Sequence, residues 1–284
     1  MIFPTASLQD VRARFAAEIA AIAGCGGTRI EQAFAHVPRE DFLPPPPWRL
    51  LSSWTTTAPH SSDPADLYAD ILVAIDMAKG INNGQPSLHA QWIAAIDPQP
   101  GEIVAHVGCG GGYYSAILAE LVGPAGHVHA YEIEPGVAAL ARRSLARYAN
   151  VTVHGASAQA APLPAADIVY VNAAASAPQA TWIAAMRPGA RMIFPWRFGA
   201  VSTATMLITR SRAIFGARAV GFVAFIEIED EREHGAGHCS PPQVETIRSM
   251  VPRAIALPDA SAVAEFADHW FSTAPPASWG AAAP

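Results

Sequence analysis

The apolar positions change period along the chain, and the changes mark the elements. Leu8, Val11, Phe15, Ile19 and Ile22 recur at helical spacing. Ser7 to Ala23 is therefore predicted as a helix with Ser7 as N-cap and Gly24-Cys25-Gly26-Gly27 as its stop. A second short helix is expected over Ile30 to Val37. Pro44 to Pro47 must be extended, and Trp48 to Pro64, rich in Ser and Thr, reads as irregular. Tyr68 to Asp76 reads as a short strand or a covered loop. Asn82-Asn83-Gly84-Gln85-Pro86 is a turn signal, and Ser87 to Ile96 a helix leading into Asp97-Pro98-Gln99-Pro100-Gly101.

From Ile103 onward, short continuous apolar runs alternate with amphipathic ones. Strands are predicted at 103–107, 128–131, 151–154, 167–171 and 191–195. Helices are predicted at 115–122, 137–148 and 179–186, the last stopped by Pro188-Gly189. Thr203 to Arg210 and Ala217 to Ile228, separated only by Ser211 to Gly216, read as an antiparallel hairpin. Alternating βα units that end in a hairpin predict an α/β, Rossmann-like fold. Its sheet is mostly parallel with one antiparallel strand and helices on both faces. Beyond Asp230 an exposed loop is expected, then helices over Pro241 to Met250 and Ala260 to Phe271, and a Pro/Ala tail.

Within this pattern, residues 103–132 carry the chemistry. The strand Ile103-Val104-Ala105-His106-Val107 feeds Gly108-Cys109-Gly110-Gly111-Gly112-Tyr113, a helix follows, and the next strand ends in Glu132. A glycine turn lets backbone approach a ligand that a Cβ would hold away. The following helix aims its free N–H groups at that ligand. Glu132 is placed to accept two hydrogen bonds from a ribose diol. A dinucleotide fingerprint needs a third glycine where this chain has Tyr113, which counts against a nicotinamide oxidoreductase. G-x-G-x-G at Gly108, Gly110 and Gly112, with the acid ending the next strand, resembles motif I of the class I S-adenosylmethionine (SAM) methyltransferases.

Composition narrows the picture without redirecting it. The 284 residues are 51% hydrophobic and 15% charged, with net charge -6. Such a chain can bury a full core and carries no dominant basic surface for nucleic acid. Cys25, Cys109 and Cys239 are odd in number and far apart, so a reducing cytoplasm is expected. No run is long and uncharged enough to span a bilayer, and no membrane partner is expected. His234, His238 and Cys239 suggest a metal only if a helix presents them, and Gly235 and Gly237 argue against one; no metal is expected.

The motifs together resemble the protein-L-isoaspartate O-methyltransferase family. Val37-Pro38-Arg39-Glu40-Asp41-Phe42-Leu43-Pro44 is similar to its V-P-R-E-x-F-x-P element. Tyr68-x-Asp70 resembles the Y-x-D ahead of its substrate loop, and Gln85-Pro86 its S-Q-P loop. Pro100-Gly101 through Tyr113 resembles P-G-x-x-V-L-E-I-G-x-G-x-G-Y. Val171-Asn172-Ala173-Ala174-Ala175 resembles V-T-A-A-A, and Arg187-Pro188-Gly189-Ala190-Arg191 resembles K-P-G-G-R.

The resemblance implies SAM as cofactor. It also implies a cofactor set of His106, Gly108, Cys109, Gly110, Gly112, Tyr113, Glu132, Ile133, Ala156, Ser157 and Asn172. Three departures stand out. His106 replaces an acid, Gly155-Ala156-Ser157-Ala158 lacks the Asp of the family's D-G-T-like turn, and Gly84 replaces the Ser before Gln-Pro. Carboxyl methylation needs a positioned carboxylate and little acid–base work. The expected substrate-positioning residues are Asn82, Asn83, Gln85, Ser87 and His89. The reading is methyl transfer to a carboxylate of a peptide, a protein or a specialised metabolite, outside standard isoaspartyl repair. A non-catalytic SAM-fold binding protein is the alternative. The expected organisation is a substrate-side segment (1–85), a SAM-binding core (86–229) and a C-terminal extension (230–284). Cys109 reads as a small residue rather than a nucleophile. His60 reads as an exposed loop residue, and Arg142, Arg143 and Arg147 as a solvated helix face. Trp48 and Trp54 either line a groove or cap the core.

Overall fold

The computed structural model describes residues 7–51, 59–159, 162–199, 202–224 and 239–279. The chain opens with α1 (Leu8–Ile22) and α2 (Arg29–His36), followed by β1 (Trp48–Leu51), β2 (His60–Ser61), β3 (Leu72–Asp76) and β4 (Ile81–Asn82). Next come α3 (Pro86–Ile96), β5 (Ile103–Val107), α4 (Tyr113–Val122), β6 (His127–Tyr131), α5 (Pro135–Ser144), β7 (Val151–His154), β8 (Ala166–Val171) and α6 (Ala180–Ala185). The chain continues with β9 (Met186–Arg197), β10 (Thr203–Ser211), β11 (Ile214–Val223), α7 (Pro241–Glu245), β12 (Ser249–Pro252), β13 (Ala262–Glu265) and β14 (His269–Ser272). These elements group into two compact units, Met1–Glu102 with Cys109–Ala156, and Ile103–Gly108 with Ser157–Pro284.

In the first unit, Ser7 caps α1 through a reciprocal bond with Asp10, which satisfies N–H groups that the helix itself leaves free. α1 packs on α2 and α3, with Phe15, Ala16, Ile19 and Ala20 as its buried face. The segment expected to be irregular after Pro47 instead joins a small antiparallel sheet, in the order β2-β1-β3-β4. Trp48 drives this. It is buried with Leu43, Leu67 and Val73, and its indole N–H donates to Pro44 O at 2.7 Å. It therefore caps a core, while His60 is exposed on β2 and Trp54 lies outside the described residues. β6 and β7 pair in parallel, Tyr131 opposite His154, and α4 packs on both.

In the second unit the strands run β13-β14-β12-β11-β10-β9-β8-β5. β5, β8 and β9 are parallel; β5 and β8 are nearly all apolar, as strands covered on both faces require, and β9 is buried continuously only over Met192 to Trp196. β10 runs against β9 and β11, the one reversed strand among β5, β8, β9, β10 and β11. Two expectations fail beyond residue 240. Pro241 to Met250 is a five-residue helix followed by β12, and Ala260 to Phe271 is no helix but the β13–β14 hairpin. Burial decides it: Trp270 and Phe271 are both buried on β14, and Ala264 is buried on β13 beside exposed Glu265. The helix before β9 is also short, and Pro188-Gly189 falls inside the strand range rather than stopping a longer helix.

Among the described residues no helix is long and apolar enough to cross a membrane. No group of three or more His, Cys, Asp or Glu residues among them is arranged to hold a metal. His234 and His238 lie outside them.

Candidate functional site

The glycine turn and the acid meet through the backbone. Gly110 N–H donates to Glu132 Oε2 at 2.9 Å, and Glu134 N–H donates to Glu132 Oε1 at 3.0 Å. Glu132 N–H in turn donates to His154 O at 3.0 Å, fixing the ends of β6 and β7 side by side. Burial raises the carboxyl pKa of Glu132, and the backbone donors oppose the rise. The carboxylate oxygens, with about four lone-pair sites between them, keep capacity beyond these backbone bonds, which suits the two hydroxyls of a ribose. Ile133, the next residue, is exposed, as are Gly155 and Ala156 after β7. Cys109 is buried and its thiol pKa is pushed up by that burial and by Glu132, so it stays protonated. Tyr113 is buried against Phe34 and Phe42.

Gly111 is the closest approach in the turn. A Cβ there would sit 2.1 Å from Phe42 O, so the Pro38–Pro44 element presses directly on the glycines. The G-x-G-x-G pattern leaves this position open, and no local signal marks it.

In the second unit, His106 ends up fully buried near the carboxyl end of β5. Burial lowers its pKa to about 3, so the ring is neutral. Its Nε2 lies 2.9 Å from Nδ2 of Asn172, and a neutral ring accepts there from the amide. Asn172 follows β8, with its N–H donating to Val107 O at 2.8 Å, and it borders Gly108. Its buried Oδ1 has no hydrogen-bond partner. At the position where the resemblance marks His106 as replacing an acid, a neutral imidazole is thus paired with a primary amide. Ser157, also in this unit, accepts from Gln159 N–H at 3.2 Å.

The five residues expected to position substrate split into two kinds. Asn83, Ser87 and His89 are buried. Asn83 Oδ1 accepts from Val73 N–H at 2.8 Å and from Arg39 at 3.4 Å, which ties it into the β3–β4 turn. Ser87 donates its Oγ–H and its N–H to Asp70, at 2.6 and 2.8 Å. His89 stacks on Tyr114 with ring centroids 3.6 Å apart, and Tyr114 donates to Gly84 O at 3.1 Å. Asn82 is half-buried and turns its Oδ1 to Gly84 N–H at 2.9 Å, while Gln85 is exposed and donates to Asp70 at 2.9 Å.

Gly84 has φ +74, and a Cβ at that position would meet His89 Nε2 at 2.3 Å. The imidazole occupies the room that a side chain at 84 would need. Two supports carried no role in the sequence reading. Asp70 holds the loop through Gln85 and Ser87. Arg39 is fully buried, and its guanidinium donates to the carbonyls of Leu67, Ala69 and Ile71. Both are positioned by tertiary contact, which spacing along the chain does not reveal.

The comparisons agree with one another. Residues 23–233 match the family model described as protein-L-isoaspartate(D-aspartate) O-methyltransferase. A protein-L-isoaspartate O-methyltransferase of Methanothrix thermoacetophila is 32% identical over 199 residues, spanning 69% of this chain and 85% of that protein. One from Aeropyrum pernix is 35% identical over 172 residues, but the match spans only 59% of either chain. Among solved structures, a protein-L-isoaspartate O-methyltransferase aligns with TM-score 0.64 at 19% identity, covering 92% of this chain and 87% of its own. A Plasmodium falciparum protein described as putative in that family, in complex with S-adenosyl-L-homocysteine, aligns with TM-score 0.62 at 16% identity, covering 78% of this chain and 99% of its own.

Proposed function

The chain belongs to the protein-L-isoaspartate(D-aspartate) O-methyltransferase family of class I SAM methyltransferases, and from that membership we propose that it methylates a carboxylate other than the standard isoaspartyl one. SAM is its cofactor. The cofactor supplies an electrophilic methyl group on a sulfonium. A carboxylate is already a nucleophile, so the protein's task is to hold it in line, strip its water and leave the thioether product free to depart.

The observation that carries the reading is the Glu132 carboxylate, fixed at the end of β6 by the N–H groups of Gly110 and Glu134. His106, Gly108, Cys109, Gly110, Gly112, Tyr113, Ile133, Ala156, Ser157 and Asn172 are assigned with it to the cofactor. Residues 1–85 are assigned to the substrate side, 86–229 to the SAM-binding core and 230–284 to an extension.

The substrate loop supports a changed specificity. Its position 84 has no side chain, the space beside it is taken by His89, and Ser87 is committed to Asp70. Asn82, half-buried, and Gln85, exposed although it also bonds Asp70, are less buried than Asn83, Ser87 and His89, and they are assigned the acceptor carboxylate of a peptide, a protein or a small molecule.

Calorimetric titration with SAM and with S-adenosylhomocysteine tests the cofactor half. Wild type should bind in the micromolar range, and Glu132→Ala should weaken both by at least about tenfold, since hydrogen bonds to a charged group are lost. Radiolabelled methyl transfer tests the substrate half. An isoaspartyl peptide should remain unlabelled while a panel of aspartyl, glutamyl and C-terminal carboxylates yields an acceptor. Efficient labelling of the isoaspartyl peptide would return the chain to ordinary repair.

A further inference from the structure

Arg142 reads from the sequence as part of a solvated helix face, yet its guanidinium lies against the end of β7. A Cβ built on Gly155 would stand 2.2 Å from its Nη2, 3.1 Å from Cζ and 3.3 Å from Nη1. Gly155 thus leaves room for the guanidinium where it lies, and a side chain there would make the end of Arg142 shift. Its charge is also felt in the glycine turn and on β7, where it opposes the rise of the Cys109 pKa and adds to the lowering at His154. Arg142 is exposed, and no carboxylate pairs with it among the described residues. A cation held on a backbone glycine without a counter-charge is committed to no structural ion pair.

The location gives it a task. Glu132 N–H bonds His154 O, so the acid assigned to the ribose and Gly155 sit at adjacent strand ends, about 5 Å apart as neighbouring strands are. A nucleoside held by its ribose at Glu132 has its base within reach of whatever lines the end of β7. The side chains available there are unusual for a purine carrying an exocyclic amine. Gly155 and Ala156 offer no side-chain acceptor for that amine. Arg142 offers only donors, in the plane of a rigid fork.

We propose that Arg142 reads the cofactor's base from its edge, donating in the ring plane to ring-nitrogen acceptors, so that the exocyclic amine goes unselected. This rests on the SAM reading above and deepens it. Adenine and hypoxanthine differ where the proposal has consequences. Hypoxanthine replaces the amine with a carbonyl, a further acceptor for a guanidinium, and protonates N1. A site built on a carboxylate would reject hypoxanthine, because two acceptors would face each other. A site built on Arg142 tolerates it.

The test is calorimetric titration of the full chain with S-adenosylhomocysteine and with S-inosylhomocysteine, alongside thermal melting of each variant. Wild type should bind the two within about threefold of each other. Arg142→Ala should weaken both by about tenfold, the size expected for one lost charge-assisted contact, at an unchanged melting temperature. Arg142→Lys, which keeps the charge and loses the plane, should fall between them. Ala156→Asp should install selection for the amine and favour S-adenosylhomocysteine by tenfold or more. The proposal is overturned if Arg142→Ala and Arg142→Lys both bind S-adenosylhomocysteine like wild type. It is equally overturned if wild type already rejects the inosine analogue by tenfold or more. A wild type that binds neither compound removes the SAM reading itself, an outcome distinct from both.

Discussion

At residue 84 the missing side chain and the neighbouring imidazole are two halves of one arrangement. Gly84 takes φ +74, a region costly for any residue with a Cβ, and His89 Nε2 stands 2.3 Å from where that Cβ would go. Gly84→Ser should therefore lower stability by about 1–3 kcal/mol, from backbone strain and overpacking together. His89→Ala loses the stacking on Tyr114 but opens the space. The double variant should be more stable than the sum of the single changes predicts, because the clash it would add has gone; coupling of this kind is expected between residues in contact. Urea unfolding of the four proteins measures it, and simple additivity would mean the loop relaxes freely around a side chain at 84. The glycines, Glu132 and the substitution at 84 were legible in the sequence because each sits in a motif with fixed spacing. The contacts at Gly111, Arg39 and Asp70 were not, because their partners lie at least 15 residues away in the chain.

The elements follow the same division between local and distant causes. Strands β5 to β8 and their helices came from the period of apolar positions because a βα unit is a local object: a buried strand, a turn and an amphipathic helix in succession. The strand at Trp48 and the β13–β14 hairpin did not. Ala260 to Phe271 is rich in alanine, a helix former by propensity, and what overrides it is the packing of its own aromatic rings on Trp196 of β9. Phe271 lies 4.9 Å from Trp196 on β9 and 5.2 Å from Phe266, all in edge-to-face geometry. Phe271→Ala should cost about 3–5 kcal/mol, the usual loss for an aromatic side chain removed from a core. Chemical denaturation would show it as a fall in midpoint with little change in slope. A loss below about 1 kcal/mol would mean the hairpin is an appendage that the sheet does without.

For the whole molecule, the net charge of -6 says little about acid stability, since the buried imidazoles set its direction. His106 is held neutral with its pKa near 3 and His129 with its pKa near 4, both chiefly by burial, and burial lowers His154 and His269 as well. In the unfolded chain each of these rings takes a proton below about pH 6.5. Between that pH and the folded values the unfolded state binds more protons, so stability is full above about pH 6.5 and is lost as the pH falls. Fully buried His106 contributes a slope of about 1.4 kcal/mol per pH unit, and His129, His154 and His269, being partly exposed, contribute less. Glu132 works the other way, because its raised pKa favours the folded state at low pH and gives that advantage up as the pH rises through the folded value. One raised carboxyl against four lowered imidazoles leaves the imidazoles in control. The free energy of unfolding should be level above pH 7 and decline steadily from pH 6 to 4. His106→Gln should flatten that decline by about one proton, which urea titrations at a series of pH values would resolve. An unchanged slope in the variant would mean that the ring of His106 is charged in the folded protein, and with that its acceptance of a hydrogen bond from Asn172 would fall.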